Sequence, residues 1–233
     1  MYEISIIDIV SPIWFFACWI GYSLFAEHKS KSKSSLLSVI NEYRLAWMHQ
    51  MLKRENRMMD ATLIGNLLRS ISFFASTTIF IVLGLFTLLK YRDEASGILT
   101  SIPYASPTTP ILWEVKIFLL VVIFIYTFFK YTWSLRQYNY ACAIVGAAPM
   151  AHDQNVDRET YAVNSAKLIG NAAKHFNMGL RAYYFGLAAL SWFVNGWAFI
   201  FVSSFVVWVL YRREFRSLAL KYMNDAAIFR TKK

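Results

Sequence analysis

Charge is scarce in this chain. Only 16% of its 233 residues are Asp, Glu, Lys or Arg, against about 25% in average soluble domains. With 57% hydrophobic residues and a mean hydropathy of +0.39, too little polar surface is left to cover a water-soluble exterior. Glycine is sparse as well, at nine residues, and alternating ten-residue segments are absent, which excludes a closed β-barrel. The two cysteines, Cys18 and Cys142, sit in apolar or aromatic surroundings. No structural disulfide and no Cys/His metal set is expected from them, and both are read as buried small hydrophobes. The chain contains no GxSxG, HExxH, GxxxxGK[ST] or GxGxxG. Its four histidines, His28, His49, His152 and His175, lie outside the apolar blocks. Haem held between spans takes histidines at membrane depth, so no cofactor is expected. His152-Asp153, a lone doublet in a polar loop, reads as surface.

What the chain has is long apolar blocks, each near the roughly 20 residues a membrane-crossing helix needs. The fold class read from them is all-α, a polytopic transmembrane helical bundle of four to five spans in a single membrane domain, residues 1–233. The spans fall at about 6–26, 67–90, 113–135, 183–194 and 197–211. Amphipathic cytoplasmic helices are expected at about 36–60 and 156–177. Lys116 and Lys130, at the ends of the third block, are read as snorkelling. Glu114 and Lys116 would form a solvated outer rim. Leu63-Ile64-Gly65-Asn66 recurs as Leu168-Ile169-Gly170-Asn171, which fits chance as well as duplication.

The net charge of +10 is read as an orientation signal. Lys29, Lys31 and Lys33 follow the first block and place that end in the cytoplasm, with the N-terminus outside. The loop 91–110 holds three prolines and nearly balanced charges, as an outer loop would. The last block, 183–211, poses a choice. One helix of that length would reach roughly 43 Å, against a hydrocarbon core of about 30 Å. It would also put the basic C-terminal residues outside. Asn195-Gly196 at its middle is a turn signal, so two short antiparallel helices are preferred. The expected location is a bacterial inner membrane with the C-terminus cytoplasmic. Nucleic acid is not an expected partner.

Several stretches resemble the domain of unknown function 599 family of bacterial and plant integral membrane proteins. They are Asn56-Arg57-Met58-Met59-Asp60, Ser72 to Thr78, Gln137-Tyr138-Asn139-Tyr140 to Gly146-Ala147-Ala148-Pro149, Phe176 to Phe185, and Leu210 to Ser217. Family members often have a proline near the middle of the last block, where this chain has Asn195-Gly196. The resemblance implies a membrane protein and supplies no reaction, substrate or cofactor.

Ionisable side chains near or within spans are costly unless they have partners or a task. Arg69, Arg136, Arg181, Arg212, Arg213 and Arg216 all map to the cytoplasmic membrane face. They are candidate contacts for anions or anionic lipid headgroups, against the plainer reading of snorkelling and salt bridging. Small and hydroxyl residues let helices approach closely in lipid. Ser72, Ser76, Thr77 and Gly84, with Ala162, Ala166 and Gly170, are therefore candidate helix-packing faces. No catalytic residue and no metal ligand is assigned. Three functions stay open: a non-enzymatic oligomeric channel- or transport-type protein, an accessory subunit of a larger membrane complex, and a lipid-headgroup or intramembrane enzyme. The expected partners are membrane lipids, with anionic headgroups foremost, and further copies of the chain or membrane-complex subunits.

Overall fold

A computed structural model describes residues 5–30, 35–92, 94, 97, 109–153 and 156–227. Its main elements are α1 (Ile6–Ser30), α2 (Leu36–Met51), α3 (Met58–Lys90), α4 (Pro110–Gly146), α5 (Arg158–Ala189), a 3₁₀ turn (Leu190–Phe193), α6 (Gly196–Phe215) and α7 (Leu218–Asp225). No strand occurs among the described residues. Helices α1, α3 and α4 are long and apolar enough to cross a membrane. The fold is a helical membrane bundle.

Local chemistry sets the helix ends. Ser35 caps α2 in a capping box with Ser38. Pro110 opens α4, where its missing N–H costs nothing. Asp157 Oδ1 accepts from Thr160 N at 2.9 Å at the start of α5; the Thr160 side chain first, and then this backbone bond, hold the exposed carboxyl below its ordinary value. Two boundaries differ from the sequence expectation. The stretch 36–60 is not one helix, because α2 stops at Met51 and α3 starts at Met58. Asn56 Oδ1 takes the Met58 N–H at 3.0 Å and starts the new helix there. Conversely, 156–177 and 183–194 are not separate. Met178 to Ala182 contains no breaker stronger than one glycine, and α5 runs through to Ala189.

The chain divides into two compact units, described in turn. The first comprises Met1–Ala26, Ala75–Phe129 and Met178–Tyr211. Its core is aromatic. Phe15 lies 5.7 Å from Phe185 and 5.0 Å from Phe199, and Trp192 stacks on Phe199 at 5.2 Å. Gly186 admits Ile123 and Phe124, which would meet a Cβ at 3.0–3.3 Å. The pairing partners along α1 fix helix direction. Asp8, Phe15 and Tyr22 meet Trp192, Phe185 and Arg181 in that order. Ile7, Trp14 and Phe25 meet Gly196, Ser204 and Tyr211. Hence 178–192 runs antiparallel to α1 and 196–211 runs parallel to it. The reversal sits at Asn195, whose Oδ1 accepts the Ala198 N–H at 2.7 Å. A Cβ on Gly196 would lie 3.0 Å from Ile7 Cγ1 and 3.2 Å from the Ile7 carbonyl oxygen.

The second unit comprises Glu27–Phe74, Lys130–Asn177 and Arg212–Lys233. It buries Val39, Met48, Ile64, Tyr131, Ala162 and Ile169. Ile64 and Ile169 of the repeated tetrapeptide are both buried, but Gly170 packs on Asn41 while Gly65 meets nothing. The two copies share no common role. This unit holds 20 of the 24 Lys and Arg but only 9 of the 14 Asp and Glu. The first unit is left with four against five.

Candidate functional site

In the second unit the quoted motifs meet around the end of α4. Arg57 donates to the carbonyls of Ala148 and Pro149. Arg158 donates to those of Met150 and Ala151 at 2.8 and 2.7 Å, and to Asp153 O at 3.0 Å. Carbonyls past a helix C-terminus carry the negative end of its dipole, so two guanidiniums are suited to hold this loop. Tyr161 adds a 2.6 Å bond from its hydroxyl to Ile144 O. Burial pushes its phenol up, and the Arg57 charge works the other way. Three residues beyond Arg57, Asp60 is wholly buried and accepts from Trp47 Nε1 at 2.6 Å and Arg54 at 2.7 Å.

A partly buried polar seam joins α2, α4 and α5. Ser134 donates to Ala172 O at 2.7 Å, and Asn171 Nδ2 donates to Gln137 Oε1 at 2.7 Å. Arg44 donates to Asn41 at 2.6 Å and is hydrogen-bonded to Tyr138. Burial pushes its guanidinium below the ordinary value, and Tyr138 counteracts this.

The six candidate arginines do not form one site. Arg69 bonds Asn66 on the same helix, and Arg136 bonds Tyr140 at 2.6 Å; both are exposed. Arg212, Arg213 and Arg216 are exposed too. Arg181 alone is buried, in the first unit, with its guanidinium 5.5 Å from the Tyr22 ring centroid. The packing-face candidates divide similarly. Ala162 and Ala166 are buried, and Gly170 would place a Cβ 3.1 Å from Asn41 Oδ1. Ser72 and Thr77 are half-buried, whereas Ser76 and Gly84 are exposed and a Cβ on Gly84 would meet nothing.

Two expectations are corrected. Lys116 does not snorkel or stand on a solvated rim. It is 2% exposed, 5.5 Å from the Trp192 ring centroid and 5.8 Å from that of Phe193. Asp8, which accepts from Trp192 Nε1 at 3.2 Å, supplies the opposing charge. A nearby carboxylate, here half-buried, is what makes such a position tolerable. Nor are both thiols buried: Cys18 is half-buried, and Cys142 faces outward from α4. Sequence reasoning had Asp60 only as the end of a family stretch and as a salt-bridge partner for arginine, and it missed Arg158. The available signal was their place in the first turns of α3 and α5, just after the loops that precede those helices. Among the described residues no three His, Cys, Asp or Glu converge on one point.

Fold and site define a polytopic helical membrane protein with a basic second unit. The family model described as protein of unknown function, DUF599, matches residues 10–219, and the chain belongs to that family. No curated protein and no solved structure matches it.

Proposed function

We propose that the protein is a non-enzymatic, oligomeric channel- or transport-type protein whose second unit faces the cytoplasm of a bacterial cell. The observation that carries this is α3. Ser76, Gly84 and Thr87 recur on it at helical spacing, and all are exposed. Lipid tails give no hydrophobic reason for helices to associate; small and hydroxyl residues do so by close packing and hydrogen bonding. A row of them facing away from its own chain calls for a partner helix. The first unit's interior is filled by aromatic rings, so a conducting path would form between copies. Orientation rests on the basic second unit, which the positive-inside rule assigns to the cytoplasm. In this reading the spans number five, carried by α1, α3, α4, α5 and α6, an odd number of passes. An odd count supports an N-terminus outside and a C-terminus inside.

Native-state mass measurement of the detergent-extracted protein, with ion flux from liposomes, tests the reading. A homo-oligomer that conducts, and that S76L/G84L dissociates, is the expected result. A stable hetero-complex would make the chain an accessory subunit instead, and a non-conducting monomer overturns both readings. Reporter fusions after positions 105, 195 and 233 test the orientation, and an external C-terminus refutes it.

A further inference from the structure

Arg181 is 9% exposed and lies in the apolar first unit. The Tyr22 ring covers one face of its guanidinium, but a ring takes none of the five N–H donors. Among the described residues no acceptor meets them, yet the guanidinium nitrogens are not sealed off. A buried guanidinium without an anion is the arrangement proteins avoid most. The same Tyr22 lines a cleft of ≈ 440 Å³ between α1 and α6, bounded by Cys18, Gly21, Phe25, Ser204 and Trp208. Gly21 leaves the cleft open, since a Cβ there would touch nothing. The wall from Ala17 to Phe25 is about 12 Å long at 1.5 Å per residue, most of one leaflet's share of a core about 30 Å thick. Trp208 and Tyr211 at its edge are residues favoured at the membrane–water interface.

We propose that this is a site for one anionic phospholipid, with its phosphate at Arg181 and an acyl chain in the α1–α6 cleft. The charge complements the unanswered guanidinium and the walls complement the chain. The site rests on the membrane character of the protein, not on the channel reading. It selects one of the six arginines, and it requires the lipid to enter from the side.

Native mass spectrometry of the full chain from mixed micelles of phosphatidylglycerol and phosphatidylcholine in equal amounts tests it. The wild type is expected to retain one phosphatidylglycerol with about tenfold preference, which is the effect of 1.4 kcal/mol. R181Q should abolish that preference and R181K restore most of it. G21L should reduce retention of both lipids by filling the cleft. An R181Q protein with unchanged preference and unchanged thermal unfolding overturns the proposal. So does inorganic phosphate that alone displaces phosphatidylglycerol at equal concentration, since the ligand would then be a free anion. If R181Q does not fold, wild type photolabelled with diazirine-acyl phosphatidylglycerol decides. Labels within 17–25 and 204–211 support the site, and labels confined elsewhere refute it. The same spectra report oligomeric state: a monomer that holds the lipid sinks the channel reading and leaves this one standing.

Discussion

Replacing Asp60 by alanine is expected to destabilise the second unit by about 3 kcal/mol. The carboxylate is 0% exposed, and its Oδ1 accepts from both Trp47 and Arg54. A hydrogen bond to a charged group is worth about 1.5–3 kcal/mol when its loss strands the partner. The half-buried Trp47 indole is stranded in that way. Arg54, with 35% of its side chain exposed, regains water, so its share is held to about 1 kcal/mol. Opposing both is relief from burying a carboxylate whose Oδ2 has no partner among the described residues. Asparagine separates these effects. It keeps an oxygen for Trp47, loses the charge, and puts an amide donor where no acceptor is seen. D60N should therefore cost about 1.5 kcal/mol, roughly half the alanine effect. Unfolding in mixed micelles by a denaturing detergent, followed by circular dichroism, measures both variants. Adding W47F to D60A should cost less than W47F alone, because the bond is already gone. If D60A costs less than about 1 kcal/mol, or if W47F and D60A simply add, Asp60 is not the tie described here.

Two further outcomes follow from the geometry. G196V should destabilise by about 2 kcal/mol, because its Cβ meets the backbone and side chain of Ile7 at 3.0–3.3 Å. G65A, where nothing lies within 4 Å, should be neutral or stabilising by up to about 1 kcal/mol; equal effects in the same unfolding assay would refute the close approach. His175 is held below its ordinary 6.5 by burial first and then by Lys130 and Lys174, with Glu27 opposing. The unfolded chain then takes up its proton at higher pH than the folded one. That stability is present above 6.5 and is lost as pH falls towards the folded value. H175Q should flatten the loss between about pH 7.5 and about pH 5.5; an unchanged slope would mean that other groups cause it.

Helical class was legible in the sequence because composition and block length decide it without tertiary detail. Asn195-Gly196 could be read as a break because turn chemistry is local: Asn195 caps α6, and the glycine is needed where Ile7 comes close. Helix continuity was harder. Whether 178–182 breaks depends on what its faces pack against, and polar residues at 171–177 mimic a helix end although Asn171 is satisfied by Gln137 on α4. The tie that Asp60 makes to Trp47 was invisible for the same reason. Nothing within its own turn shows that Trp47, thirteen residues earlier, returns to bond it.

The arginines show where the limit lies. By composition and position Arg69, Arg136, Arg181 and Arg212 were equivalent, each at the edge of an apolar block. Their helical register was not equivalent. Arg181 shares its stripe with Phe185, Ala188 and Trp192, at intervals of four, seven and eleven, and all three are at most 2% exposed. An arginine on the buried stripe of an amphipathic helix cannot snorkel to that helix's polar side. Lys116 obeys the same rule, flanked by Leu112 and Leu120 on its own buried stripe. Its charge, however, is answered within the chain, by Asp8. Among the described residues Arg181 has only the Tyr22 ring. Two buried cations of similar register thus differ in one respect, a counter-charge supplied by the fold. That difference separates a structural cation from one that leaves room for a ligand.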